Sequence, residues 1–175
     1  QSYEELLSEI SSAPTNLLVL PYWTPSGTPY FDCETPGAIV GLRLSTKRAE
    51  ILRALLEGVA LEMRLNVEIL RQSGCPLKEL RTIGGGARSA AWNQLKADVL
   101  GKPLKQLEIS EAGCMGAAIL ACAADTGRSV TEIAGEWVKP GALFEPDSVN
   151  ARRYDERYDS YRAMRSAIRT ALQMT

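Results

Sequence analysis

Histidine is absent from all 175 residues. Its absence removes imidazole acid–base catalysis, Ser-His-Asp and Cys-His machinery, and His-based metal sites. Any chemistry must rest on carboxylates, hydroxyls, basic groups or backbone amides. Paired cysteines are lacking too: Cys33, Cys75, Cys114 and Cys122 are scattered, and none forms a CxxC pair. Such scatter fits reduced thiols in a cytoplasmic protein. No excess of one charge exists. The net charge of −1 offers no broad basic field, so no nucleic-acid partner is expected. Long hydrophobic runs are missing as well. The apolar and small run that includes Met115 to Ala124 is far too short to span a bilayer, so no membrane partner is expected. Gln1 opens the chain without a charged leader and apolar core, so no signal peptide is expected.

What remains is ordinary globular material: 45% hydrophobic and 23% charged residues, enough for one domain with its own core. Its focal stretch is Thr82-Ile83-Gly84-Gly85-Gly86-Ala87-Arg88-Ser89. Glycine lacks a Cβ, so this turn can take φ > 0 and let a ligand press on bare backbone. A helix opening at Ser89 would place its free N–H groups beside the same spot. The stretch therefore reads two ways, as a nucleotide-sized niche or as a plain tight β-to-α turn. It is no Walker A loop, because no Gly-Lys-Ser/Thr follows. Nor is it a dinucleotide fingerprint, because Ser89 stands where the third glycine is required.

In chain order, Ser2-Tyr3-Glu4-Glu5 predicts a capped helix to about Ser11. Leu17–Leu20 and Ala38–Leu44 read as strands around an aromatic loop from Pro21 to Pro36. From Thr46 to Gln72, Ile51, Leu55, Val59, Met63 and Val67 recur at helical spacing. Flanking leucines widen that stripe, which predicts burial on more than one side. Leu80–Ile83, Ser89–Leu100, Leu104–Ile109 and Ala112–Asp125 then alternate strand, helix, strand, helix. That order implies a parallel βαβα unit and the α/β class. A short helix is expected from Thr131 to Trp137 and an extended segment from Val138 to Pro146. Asn150–Leu172 predicts a charged helix with Tyr154, Tyr158, Tyr161, Met164 and Ile168 on one stripe.

Three further features bear on chemistry. Gly113, Gly116, Ala117, Ala118 and Ala121 make a small-residue helix face, read as tight helix packing or as close ligand approach. Asp32 and Glu34 could face a polar ligand or Mg²⁺, although acidic loop pairs are more often solvated. The charges from Arg152 to Arg157 read most simply as a solvated face, and Trp92 as core.

Taken together, several spaced blocks resemble the C-terminal half of FGGY-family carbohydrate kinases, most closely the xylulokinase-like branch. Leu20-Pro21-Tyr22 with Thr28-Pro29-Tyr30-Phe31-Asp32 looks like the loop before the family's second signature. Gly37-Ala38-Ile39-Val40-Gly41-Leu42, then Glu50-Ile51 and Ala54-Leu55-Leu56-Glu57, is similar to that signature. Gly84 to Ser89, Trp92, Gln94, Ala97-Asp98-Val99 and Gly101-Lys102-Pro103 resemble the adenosine-motif block. Glu111-Ala112, Gly116-Ala117-Ala118 and Ala121 resemble the helix that follows it.

The resemblance implies an RNase H-like domain of the actin/hexokinase/Hsp70-like ATPase type, lacking its first strands. It implies one domain over 1–175, belonging to a longer two-domain chain that closes on ATP and sugar. ATP and Mg²⁺ are the implied cofactors. The implied activity is γ-phosphoryl transfer to a ketopentose such as D-xylulose. Another sugar or polyol, a non-catalytic nucleotide-binding or assembly module, and a ligand-free domain remain open. The implied nucleotide contacts are Gly84, Gly85, Gly86, Ala87, Ser89 and Ala90. Many relatives carry Asn where Ala90 stands, so Asn93 or backbone is expected to substitute. No residue matches the family's catalytic base, and neither Asp32 nor Asp98 is assigned that role. The isolated chain is therefore expected to be inactive. The sugar is expected to bind mainly outside it, and a homodimer is a candidate assembly.

Overall fold

A computed structural model describes residues 10, 12–109 and 111–173. The helix expected over 2–11 lies, but for residue 10, outside the described residues. Two sheets form. In the first, β1 (Leu18–Leu20) pairs antiparallel with β2 (Ala38–Val40), Val19 opposite Ile39. In the second, β3 (Leu80–Thr82) runs parallel to β4 (Leu104–Leu107), Arg81 opposite Lys105. The expected parallel unit is thus present. β5 (Pro140–Phe144) adds antiparallel to the far side of β4. The helices are α1 (Arg48–Gln72), α2 (Ala90–Leu100), α3 (Ala112–Thr126), α4 (Val130–Trp137) and α5 (Ser148–Gln173).

Local chemistry fixes the helix ends. The Lys47 N–H donates to Glu50 Oε2 at 2.8 Å, closing the start of α1. Ser89 Oγ accepts from the Trp92 N–H at 3.2 Å, and α2 stops at Gly101 with φ 59°. Asp147 Oδ1 accepts from the Val149 and Asn150 N–H groups and opens α5. β2 is shorter than the expected strand because Gly41 turns to φ 96°.

The core lies where α1, α2 and α5 meet β1. Leu20, Leu61, Trp92, Leu95 and Val99 pack against Tyr154, Tyr158, Tyr161 and Met164. The α5 stripe is therefore as expected. The α1 stripe is not. Ala54, Gly58, Leu61 and Leu65 face inward, while Val59 and Met63 are exposed. Apolar residues surround this helix, so periodicity alone selects no face. Gly58 selects it: a Cβ there would lie 2.6 Å from the Val19 carbonyl oxygen. Buried Glu57 accepts from Thr15, Arg53 and Tyr154, so its charge is fully partnered.

Candidate functional site

The glycine turn sits at the carboxyl end of β3, where open α/β sheets bind ligands. After Thr82 the chain reaches Gly84 at φ 78°, a backbone setting that disfavours side chains. Residues Gly85–Arg88 then make one 3₁₀ turn, and the Ala87 N–H donates to the Gly84 carbonyl at 3.0 Å. At Gly86 the Trp92 ring lies 3.4 Å from the Cβ position, an ordinary contact distance. Gly85 is more open still. Its φ is not positive, and nothing lies within 4 Å of its Cβ position. The described chain makes no demand for a bare backbone at Gly85, and its Cβ position faces open space.

Ala87 is buried, and its carbonyl accepts two side-chain amides. Asn93 Nδ2 donates to it at 2.7 Å and Gln106 Nε2 at 2.9 Å. Behind Asn93, Lys96 Nζ donates to Thr82 Oγ1 at 2.8 Å, and Thr82 Oγ1 donates to Asn93 Oδ1 at 3.4 Å. Lys96 is buried without an ion pair among the described residues, and its ammonium lies 5.3 Å from the Trp92 ring centroid. Burial lowers its pKa to about 8. Sequence reasoning missed Thr82, Lys96 and Gln106. A helical lysine and a strand glutamine carry no motif, and only the fold brings them under the turn.

The expected residues thus divide. Gly84, Gly85, Gly86, Ala87, Ser89 and Ala90 form the turn and the start of α2. Asn93 is fully buried, with its amide committed to Ala87 and Thr82, so it supports the turn from behind. A groove of about 280 Å³ runs beside the turn, lined by Gly84, Ala87, Arg88, Gln106, Leu107, Glu108 and Ile109. A larger hollow of about 710 Å³ lies elsewhere, between α2 and the start of α5. Its buried carboxylate, Asp98, already accepts from Gln94, the Asp147 N–H and Asn150. Asp98 thereby ties α2 to the start of α5.

Asp32 has a similar duty. It accepts from Thr35, Glu34, Arg165 and Arg169, tying the aromatic loop to α5. Arg165 also stacks 3.8 Å from the Tyr30 ring centroid. The hydrogen bonds from Thr35, followed by those from Glu34 and Arg165, hold the Asp32 carboxyl far below the usual carboxylate range. Glu34 is exposed, 4.0 Å from Arg169. Among the described residues no group of three His, Cys, Asp or Glu side chains could hold a metal ion. All four cysteines are free. Among the described residues no helix is long and apolar enough to cross a membrane. The small-residue helix α3 buries only Ile119, and nothing lies within 4 Å of the Cβ positions at Gly113 and Gly116.

Residues 1–124 match the C-terminal domain of the FGGY family of carbohydrate kinases. The chain belongs to that family. It is 31% identical over 167 residues to a xylulose kinase from Bacillus subtilis, covering 93% of this chain and 33% of the relative. It is 33% identical over 171 residues to a glycerol kinase from Alkaliphilus oremlandii, covering 97% of this chain and 33% of the relative. A solved xylulose kinase from Rhodospirillum rubrum superposes with TM-score 0.80 at 28% identity, over 97% of this chain and 34% of that one. A Plasmodium falciparum glycerol kinase with ADP superposes with TM-score 0.76 at 19% identity, over 94% of this chain and 34% of its own, and speaks to fold alone. The chain spans about a third of the length of these relatives. The FGGY fold, of the actin/hexokinase-like ATPase type, is the α/β architecture described above.

Proposed function

We propose that this chain is the nucleotide-holding domain of an ATP-dependent carbohydrate kinase, and that the intact protein phosphorylates a ketopentose such as D-xylulose. The observation that carries the reading is Gly85. It is bare backbone in the βα turn that follows β3, with open space at its Cβ position. Family membership supplies the ligand class, and the glycine's openness fits an adenosine laid along Gly84 to Ala87, Ser89 and Ala90.

In such a transfer the sugar hydroxyl oxygen bonds to the γ-phosphorus, the bond to the bridging oxygen breaks, and ADP leaves. The hydroxyl proton needs a base. Asp32 and Asp98 are both committed to structural hydrogen bonds, so neither is assigned that role. Mg²⁺ would neutralise charge on the phosphates. No cluster of ligands for it exists among the described residues, so this chain's part is to bind and orient the nucleoside. We place the base, the sugar-binding residues and most phosphate contacts in the remainder of a two-domain cytoplasmic protein. The 33% identity to a glycerol kinase keeps a polyol substrate as the second reading.

The test is a coupled ADP-release assay on the full-length protein with Mg²⁺-ATP, offering xylulose and glycerol separately. Saturable turnover with xylulose at the higher kcat/KM is the expected result. Turnover with glycerol alone would move the assignment to the second reading, and none with any sugar or polyol would overturn it. Residues 1–175 alone are expected to show no turnover.

A further inference from the structure

Gln106 was not singled out by any sequence pattern, yet the fold takes three steps to aim it. The β4–β5 ladder is regular at Lys105, opposite Leu143, and slips by Leu107, opposite Pro140. The slip inserts one extra residue in β5 across from Gln106, and such a bulge re-aims a side chain. Gly141 lies at the bulge, and a Cβ there would sit 3.4 Å from Gln106 Cγ. The glutamine stem therefore lies over bare backbone. Its amide then reaches the Ala87 carbonyl at 2.9 Å.

Two amides, from α2 and from β4, thus meet on one buried carbonyl. Only nitrogen can donate to that oxygen, so chemistry fixes which way both amides face. A carbonyl has two lone pairs, and here both are taken. Rotating the peptide after Ala87 would forfeit both bonds and bury an unsatisfied acceptor. We propose that Gln106 is a positioning residue for the nucleotide: it locks the Ala87 peptide so that the glycine turn presents one fixed surface to adenosine. The inference rests on the nucleotide reading above and adds a residue from a different strand to it. Gln106 also lines the groove beside Ala87, so the lock and the ligand wall share one side chain.

The test uses the full-length protein and steady-state kinetics against ATP and against sugar. Gln106→Leu removes the donor at similar size. It is expected to raise KM for ATP roughly three- to tenfold, the span of one lost hydrogen bond, with KM for the sugar and the melting temperature nearly unmoved. Gln106→Glu, which sets a carboxylate against the carbonyl, is expected to do worse. Gln106→Lys, which retains a donor, is expected to recover most of the affinity. Unchanged KM for ATP in the Leu and Glu variants overturns the proposal. So does a fall in kcat and melting temperature with both KM values raised alike, which marks a merely structural residue. A wild-type protein without saturable ATP dependence would overturn the nucleotide reading itself, and this inference with it.

Discussion

Under the turn, Lys96 is the residue whose physics reaches furthest into measurable behaviour. Burial lowers its pKa to about 8, against roughly 10.4 for a lysine in an unfolded chain. Between those values the unfolded chain keeps a proton that the folded chain has released. Stability therefore rises with pH across that window, and the buried ammonium weighs on the fold below it. Denaturant midpoints at pH 7.5 and 9.5 should show this rise in the wild type and lose it in Lys96→Met. Equal slopes in both proteins would show that Lys96 does not titrate there. Ser89 is simpler. It caps α2 through the Trp92 N–H, and Ser89→Ala is expected to lower stability by about 1 kcal/mol in urea unfolding. Ser89 was legible because capping is a local rule. Thr82, Asn93, Lys96 and Gln106 as one relay were not, because the relay joins β3, α2 and β4.

Among the elements, α1 shows where a one-dimensional pattern gives out. Its existence and length were readable from the recurrence of Ile51 to Val67. Its buried face was not, since leucine, valine and methionine occur on every side. Close approach at Gly58 decides it. Gly58→Val is expected to cost several kcal/mol, because Val19 backbone must move rather than a flexible side chain. A denaturation midpoint within error of wild type would contradict the packing. The aromatic loop was legible as a loop, but its anchor was not. Asp32 joins neighbouring Thr35 to Arg165 and Arg169, which lie more than a hundred residues further along the chain. Its depressed pKa means that its contribution is present above the unfolded value, roughly 3.9, and is lost as pH falls below it. Asp32→Asn is expected to speed proteolysis within the loop and to remove that acid dependence. Unchanged cleavage would place the anchor elsewhere.

At the scale of the molecule, large surfaces stand open. Among the described strands β3 pairs only with β4, which leaves its outer edge free. Val59, Met63 and Leu70 of α1, and Leu120 of α3, are exposed. Residues 1–175 alone are expected to associate, with light-scattering mass rising with concentration; a stable monomer would contradict that. The alternation of strand and helix from β3 to α3 was legible because parallel units force it, and so was the capped turn. Whether the turn was a niche or a connection was not legible, since glycines serve both. Membership of the FGGY family favours the niche proposed above. The most direct measurement is a crystal structure of the full-length protein with ADP. Adenosine lying against Gly84 to Ala87, with the Ala87 carbonyl still held by Asn93 and Gln106, is the expected density. Adenosine bound away from this turn would contradict the assignment.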